Sequence, residues 1–142
     1  MPQGKWICAV VVRRTSLGVE FWLKSDQDRA RWGFPDFSLV DHHDPQQIVH
    51  HVEDRWHLAV RSLASKPFAT LRRSRNEEPG IIRVHVFQYM GKHPEATGPI
   101  DFRSRWCLLE EAQRRIRRKP LQRIVQDVHR EFSNQISLFD RP

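Results

Sequence analysis

The sequence contains little cysteine and no apolar run long enough to span a bilayer. Its two cysteines, Cys8 and Cys107, lie within apolar stretches, which favours buried thiols in a reducing cytosol over a disulfide or a reactive thiol. The apolar stretch at residues 7–12 is too short for a secretory signal and lacks a cleavage region. Internal repeats and low-complexity blocks are also missing. These absences predict a cytoplasmic protein without a membrane partner.

The chain carries an excess of positive charge. Its 142 residues suffice for one domain with a real core, and the formal net charge is +7 with a pI near 10.2. Such a balance favours anionic partners, namely nucleotides, nucleic acid or acidic proteins, without choosing among them.

Hydrophobic periodicity predicts strands and helices in a mixed order. Two strands come first, then a loop and a helix, then further strands, and finally two helices separated at Pro120. This order is typical of an α+β fold with helices packed on a sheet. The predicted strands cover residues 5–13, 19–23, 66–73, 81–90 and 102–108, and the last two helices cover residues 110–118 and a segment ending near Phe132.

The stretch at residues 32–58 has the best-marked helix start in the chain. Asp44 is a suitable N-cap, and Pro45 fits the first helical position, where no N–H is needed. An apolar stripe at helical spacing continues from there to Leu63. A second face carries His51, Asp54, Arg55 and Leu58, at positions i, i+3, i+4 and i+7.

This stretch resembles the Nudix box, G-x(5)-E-x(7)-R-E-U-x-E-E-x-G-U, without a gap. The aromatic-proline lead-in at residues 32–35 and the segment WCLLEEA at residues 106–112 also resemble elements of that family. The resemblance implies a mixed sheet sandwiched between helices, with one domain over residues 1–132. In order, the box positions are taken by Asp36 (Gly), His42 (Glu), His50 and His51 (Arg-Glu), Val52 (apolar), Asp54 and Arg55 (Glu-Glu), His57 (Gly) and Leu58 (apolar).

In the Nudix family the box glutamates hold Mg²⁺ or Mn²⁺ against a pyrophosphate, because hard cations prefer carboxylate oxygens. The corresponding positions here are His51, Asp54 and Arg55, so one carboxylate remains and a cation replaces another. The altered box therefore argues against ordinary Mg²⁺-dependent pyrophosphate hydrolysis.

Three interpretations of the altered box stay open. In the first, the chain is a binding or adaptor domain in which Arg55, His51 and Asp54 contact a phosphate-bearing small molecule directly. In the second, it is a hydrolase of nucleoside diphosphate derivatives in which His42, His51 and Asp54 support a softer divalent metal. In the third, the helix is purely structural. No metal site or cofactor is assigned from the sequence.

Two features outside the box concern macromolecular partners. Arginines cluster at residues 114–119 and 72–75, which is typical of a solvated helix face but is also compatible with nucleic-acid contact. The last ten residues, 133–142, are predicted to be a flexible tail. Within it, a pentapeptide resembles the motif that binds the bacterial sliding clamp, which would imply a bacterial replication or repair partner, although its Leu and Phe could instead pack on the domain. The pentapeptide consists of Gln135, Ile136, Ser137, Leu138 and Phe139.

Overall fold

A single mixed β-sheet forms the centre of the structure, a computed structural model that describes residues 4–26, 31–38, 45–64, 66–73, 80–92 and 102–139. In that part of the chain, no helix has the length and apolar character needed to cross a membrane. The strands are β1 Gly4–Thr15, β2 Gly18–Asp26, β3 Trp32–Gly33, β4 Asp36–Ser38, β5 Leu58–Ser62, β6 Ala69–Arg73, β7 Gly80–Lys92 and β8 Phe102–Leu108. The helices are α1 Pro45–Trp56, α2 Leu109–Arg115 and α3 Lys119–Phe139.

β1 lies in the middle of the sheet and pairs with three other strands. It runs parallel to β7 over residues 4–12 and antiparallel to β2 and β4. β5 and β6 pair with β7, while β3 and β8 pair with β2. A strand buried on both faces needs apolar residues at consecutive positions, which explains the run at residues 7–12.

The two faces of the sheet belong to two separate cores. Even-numbered β1 residues such as Cys8 and Val10 pack with the α2–α3 side, whereas odd-numbered ones such as Ile7 and Val11 pack with α1. This alternation follows from the two-residue repeat of a strand. The predicted α+β fold, a mixed sheet sandwiched between helices, is confirmed. Both cysteines are buried and free.

The predicted ends of all three helices were wrong. The helix predicted to continue to Leu63 ends at Trp56, and residues 58–62 form β5 instead. The apolar stripe predicted too long a helix, because Ala59 and Val60 suit a half-buried strand as well as a helix. Helix α2 ends at Arg115 rather than at residue 118, since the backbone of Ile116 is extended. Helix α3 continues past the predicted end at Phe132 to Phe139.

Candidate ligand site

Helix α1 carries most of the stretch that resembles the Nudix box, and it turns one face to the core. Ile48, Val49, Val52 and Trp56 are buried, whereas Asp54 and Arg55 are exposed and His51 is half-buried. Because Leu58 belongs to β5 and is buried, it does not share the face of His51 as predicted. His42 lies outside the described residues.

The end of α1 supports the alignment with the box. His57 has a φ of 61°, and its N–H donates to the Glu53 carbonyl oxygen at 2.9 Å. This left-handed conformation closes a helix and is normally taken by glycine, which is what the box has at this position. The backbone at residue 57 therefore has the conformation that a glycine at this position of the box would favour.

His51 lies in an aromatic cluster rather than facing open solvent. Its ring stacks on Phe37 with centroids 4.0 Å apart and planes 21° apart, and it meets Trp56 edge-on at 6.0 Å. Burial lowers the pKa of His51, the charge of Arg55 lowers it further, and the Asp54 carboxylate opposes both. These effects together favour the neutral form of the imidazole.

The other polar side chains of α1 are engaged in different ways. The Arg55 guanidinium carbon lies 5.7 Å from the Trp56 ring centroid and 5.9 Å from that of Phe102. The Glu53 carboxylate accepts a hydrogen bond from the Val60 N–H at 3.3 Å, which ties the helix to β5. Sequence reasoning assigned no role to Glu53, although it occupies the variable position of the box frame.

The arrangement on α1 does not fit a hard dication such as Mg²⁺. Asp54 is its one exposed carboxylate among the predicted site residues, and the neighbouring Arg55 repels a metal ion. Within the described ranges, no three His, Cys, Asp or Glu side chains are grouped so that they could hold a metal.

A cavity of about 610 Å³ lies on the opposite face of the sheet, beside the α2–α3 side. Its apolar floor includes Cys8, Leu71 and Ile82, and two tryptophans, Trp6 and Trp32, contribute aromatic surface. Asp36 is the box-frame position that borders it. His51, Asp54 and Arg55 do not line the cavity, so the structure separates the predicted site residues from it.

Arginine dominates the polar lining of the cavity. Arg31 comes from the segment before β3, and the others come from the end of α2 and the linker to α3: Arg114, Arg115, Arg117 and Arg118. In the described part of the chain, Arg114, Arg117 and Arg118 make no ion pair, whereas Arg115 pairs with Glu111 at 2.9 Å. The basic run that the sequence presented as a helix face is therefore partly a cavity wall.

A pair of glutamines holds the linker at residues 116–118 in place. Gln122 Nε2 donates to the carbonyl oxygens of Gln113 at 3.0 Å and Ile116 at 2.6 Å, and Gln113 Nε2 donates to the Gln122 carbonyl oxygen at 3.3 Å. The buried Ile116 side chain anchors the same linker in the core. Together these contacts fix the backbone that presents Arg117 and Arg118.

Two titratable groups near the cavity have shifted pKa values. Burial and the nearby Asp36 carboxylate raise the pKa of the Cys8 thiol to about 12, while Arg118 opposes them, so this cysteine is not a nucleophile. A hydrogen bond from Arg115 lowers the pKa of Glu111, and the charges of Arg105, Arg115 and Arg114 lower it further. The lowered pKa of Glu111 agrees with the arginine-rich surroundings, whereas the raised pKa of Cys8 reflects burial and the Asp36 carboxylate.

Comparison with known proteins gives the fold but no closer relationship. No protein-family model matches the chain, and no curated protein matches it. Among solved structures, a Caenorhabditis elegans Ap4A hydrolase superposes with a TM-score of 0.67 at 15% identity, over 95% of this chain and 99% of that one. A protein described as a Nudix hydrolase from Listeria monocytogenes gives 0.65 at 11% identity, over 95% and 97%. The Nudix domain of Shewanella oneidensis NrtR, complexed with ADP ribose, gives 0.58 at 12% identity, over 89% and 88%.

Proposed function

We propose that the chain is a binding or adaptor domain of Nudix fold that holds the phosphates of a nucleotide or related small molecule on arginine, without the metal of the family. The observation that carries the proposal is the cavity wall of residues 114–118, where Arg114, Arg117 and Arg118 have no carboxylate partner among the described residues. Helix α1, in contrast, has His51 and Arg55 where the Nudix box has metal-binding glutamates, and Asp54 is the one carboxylate at these positions.

The chemistry of the cavity suits such a ligand. Guanidinium groups bind phosphate oxygens through paired, charge-assisted hydrogen bonds. Trp6 and Trp32 offer flat surfaces to a base, and the Asp36 carboxylate offers an acceptor to a hydroxyl or amino group. A volume of about 610 Å³ lies within the range of small-molecule sites.

The test is a titration followed by tryptophan fluorescence, with Mg²⁺ or with EDTA. The ligands are ADP ribose, nucleoside di- and triphosphates and dinucleoside polyphosphates. We expect saturable binding that survives EDTA and that weakens roughly 10- to 100-fold for each lost arginine contact in Arg117→Ala and Arg118→Ala. Arg123→Ala is the matched control, because Arg123 is exposed on α3 and does not line the cavity. Binding that requires Mg²⁺, or no binding at all, would contradict the proposal.

A second candidate function is hydrolysis of nucleoside diphosphate derivatives. It is favoured by the neutral imidazole of His51 next to Asp54 on α1, a pair that could serve a softer metal together with His42. A hydrolysis screen with Mg²⁺, Mn²⁺, Zn²⁺ or no metal tests it. Turnover that is lost in Asp54→Ala and kept in Glu110→Ala, an exposed acid on α2, would establish an enzyme.

The C-terminal motif supports a separate partner, a bacterial sliding clamp. Residues 135–139 lie in the last turns of α3 rather than in an extended segment, so binding in an extended form requires these turns to unwind. The terminal turns of a helix are where opening costs least. We expect a purified clamp to bind the full chain but not to bind the double variant Leu138→Ala, Phe139→Ala. Ser137→Ala is the control, and clamp binding that survives the double change would exclude this role.

A further inference from the structure

Three guanidinium groups surround Trp32 at the edge of the cavity. The guanidinium carbons of Arg115, Arg103 and Arg105 lie 5.4, 5.8 and 5.9 Å from its ring centroid. Trp32 and Arg115 line the cavity, whereas Arg103 and Arg105 lie beyond its lining. A positively charged surface therefore continues from the cavity, past Trp32, onto β8.

Arg103 and Arg105 lie on the same face of β8. They point to the face of β8 opposite to that of Trp106 and share the face of Cys107, which belongs to the core on the α2–α3 side. Residues two apart on one face of a strand are separated by about 7 Å. Both side chains are exposed, and their guanidinium carbons lie almost equally far from the Trp32 ring, so the two charges form a short row on β8 beside the cavity.

Among the described residues, the nearby carboxylates do not balance the charge of this row. Glu111 pairs with Arg105 at 3.0 Å and with Arg115 at 2.9 Å, so one acid serves two cations. Among the described residues, Arg103 has no ion pair. A cation–π contact at an exposed site needs one cation and contributes about 0.5–1 kcal/mol. Three guanidinium groups around one indole repel one another, and an anion placed among them would relieve that repulsion.

We propose that the cavity and the β8 arginines together bind single-stranded nucleic acid. One nucleotide occupies the cavity, and the next phosphates lie against Arg103 and Arg105. The inference rests on the proposed function because it uses the same cavity. Proteins that bind single strands combine a positive groove along the backbone with aromatic surfaces for bases, as the arginines and tryptophans do here. A free nucleotide reaches only the cavity, and a duplex keeps its bases paired outside it.

The experiment compares ligands of different length on the full chain. Labelled single strands of about eight nucleotides, DNA and RNA, are titrated by fluorescence anisotropy, within the range of sites known for such proteins. A mononucleotide, a duplex and inorganic polyphosphate serve as competitors. We expect the single strand to bind at least about tenfold more tightly than the mononucleotide and to weaken with salt, by about 0.7 in the logarithmic slope for each phosphate neutralised.

Arg103→Gln tests the row directly, because its side chain is exposed and its loss leaves the cavity intact. We expect weaker binding of the single strand, a slope reduced by about 0.7, and unchanged binding of the mononucleotide. Lys92→Gln is the control for charge, since Lys92 lies ten residues along β7 from Ile82, about 30 Å from the cavity floor.

Each other outcome has a defined meaning. A single strand that binds no more tightly than the mononucleotide, or a duplex or polyphosphate that competes better than the single strand, overturns this inference and leaves the proposed function standing. Equal weakening of single strand and mononucleotide by Arg103→Gln also overturns it. If no ligand of either length binds, the proposed function itself fails.

Discussion

Gln122 provides the sharpest test of how the cavity wall is built. Its side-chain amide donates to the carbonyl oxygens of Gln113 and Ile116, and Gln122→Ala removes both hydrogen bonds. A neutral hydrogen bond contributes about 0.5–1.5 kcal/mol, and the two lie in a partly buried position where water can replace the lost donor. We therefore expect the free energy of unfolding to fall by about 1–2 kcal/mol and the melting temperature to fall by roughly 4–8 °C.

The same change tests the link between the linker and ligand binding. Loss of the glutamine contacts frees the backbone at residues 116–118, so ordering Arg117 and Arg118 on a ligand costs more. We expect the dissociation constant for the best phosphate ligand to rise several-fold. Gln126→Ala is the control, because Gln126 is exposed one turn further along α3. If Gln122→Ala has the same melting temperature and the same dissociation constant as Gln126→Ala, the glutamine contacts do not position the cavity wall.

Three further predictions concern single positions. His57→Gly should raise the melting temperature by a few degrees, because the φ of 61° costs a non-glycine residue about 1 kcal/mol or more. A melting temperature below that of the unchanged protein would show that the His57 side chain stabilises the turn. The pKa of His51 is lowered from 6.5 on folding, so the unfolded chain binds the proton more readily than the folded chain. The free energy of unfolding therefore falls as the pH drops through about 6.5. In urea denaturation, His51→Gln should lose less of this free energy between pH 7 and pH 5 than the unchanged protein does. Glu111→Gln should strengthen phosphate binding several-fold in a titration, since it releases Arg105 and Arg115, while unchanged or weaker binding would exclude these arginines from the site.

Local patterns were enough to predict the fold but not all of its boundaries. The apolar run at residues 7–12 and the alternation at residues 81–90 predicted the two central strands, β1 and β7. Asp44 and Pro45 predicted the start of α1 because a cap and a proline act on the backbone nearby. The end of α1 was missed because the left-handed turn at His57 carries no glycine in this sequence. The box frame, which has glycine there, was the signal that could have found it.

The cavity could not be predicted because its wall is assembled from distant segments. Trp6, Trp32 and Arg118 meet only when β1, β3 and the α2–α3 linker are packed together. Arg55 of α1, the predicted phosphate contact, lies near the rings of Trp56 and of Phe102 from β8, on the other face of the sheet from the cavity. The available signal was Ile116, a single apolar residue inside a run of arginines, which marks a buried anchor and hence a break in the helix face.

The parallel pairing of β1 with β7 has a consequence for how this chain folds as it is made. The pairing begins between Gly4 and Gly80, so the central strand cannot find its parallel partner until more than half of the chain has been synthesised. At about 5–20 residues per second, β1 waits roughly 4–16 s with its β7-facing edge unpaired. Its apolar run, rich in valine and without charge or proline, is prone to pair with other copies. The position of β1 in the sequence therefore predicts slow folding through a non-local strand pairing, and a need to shield β1 from other copies until β7 is available.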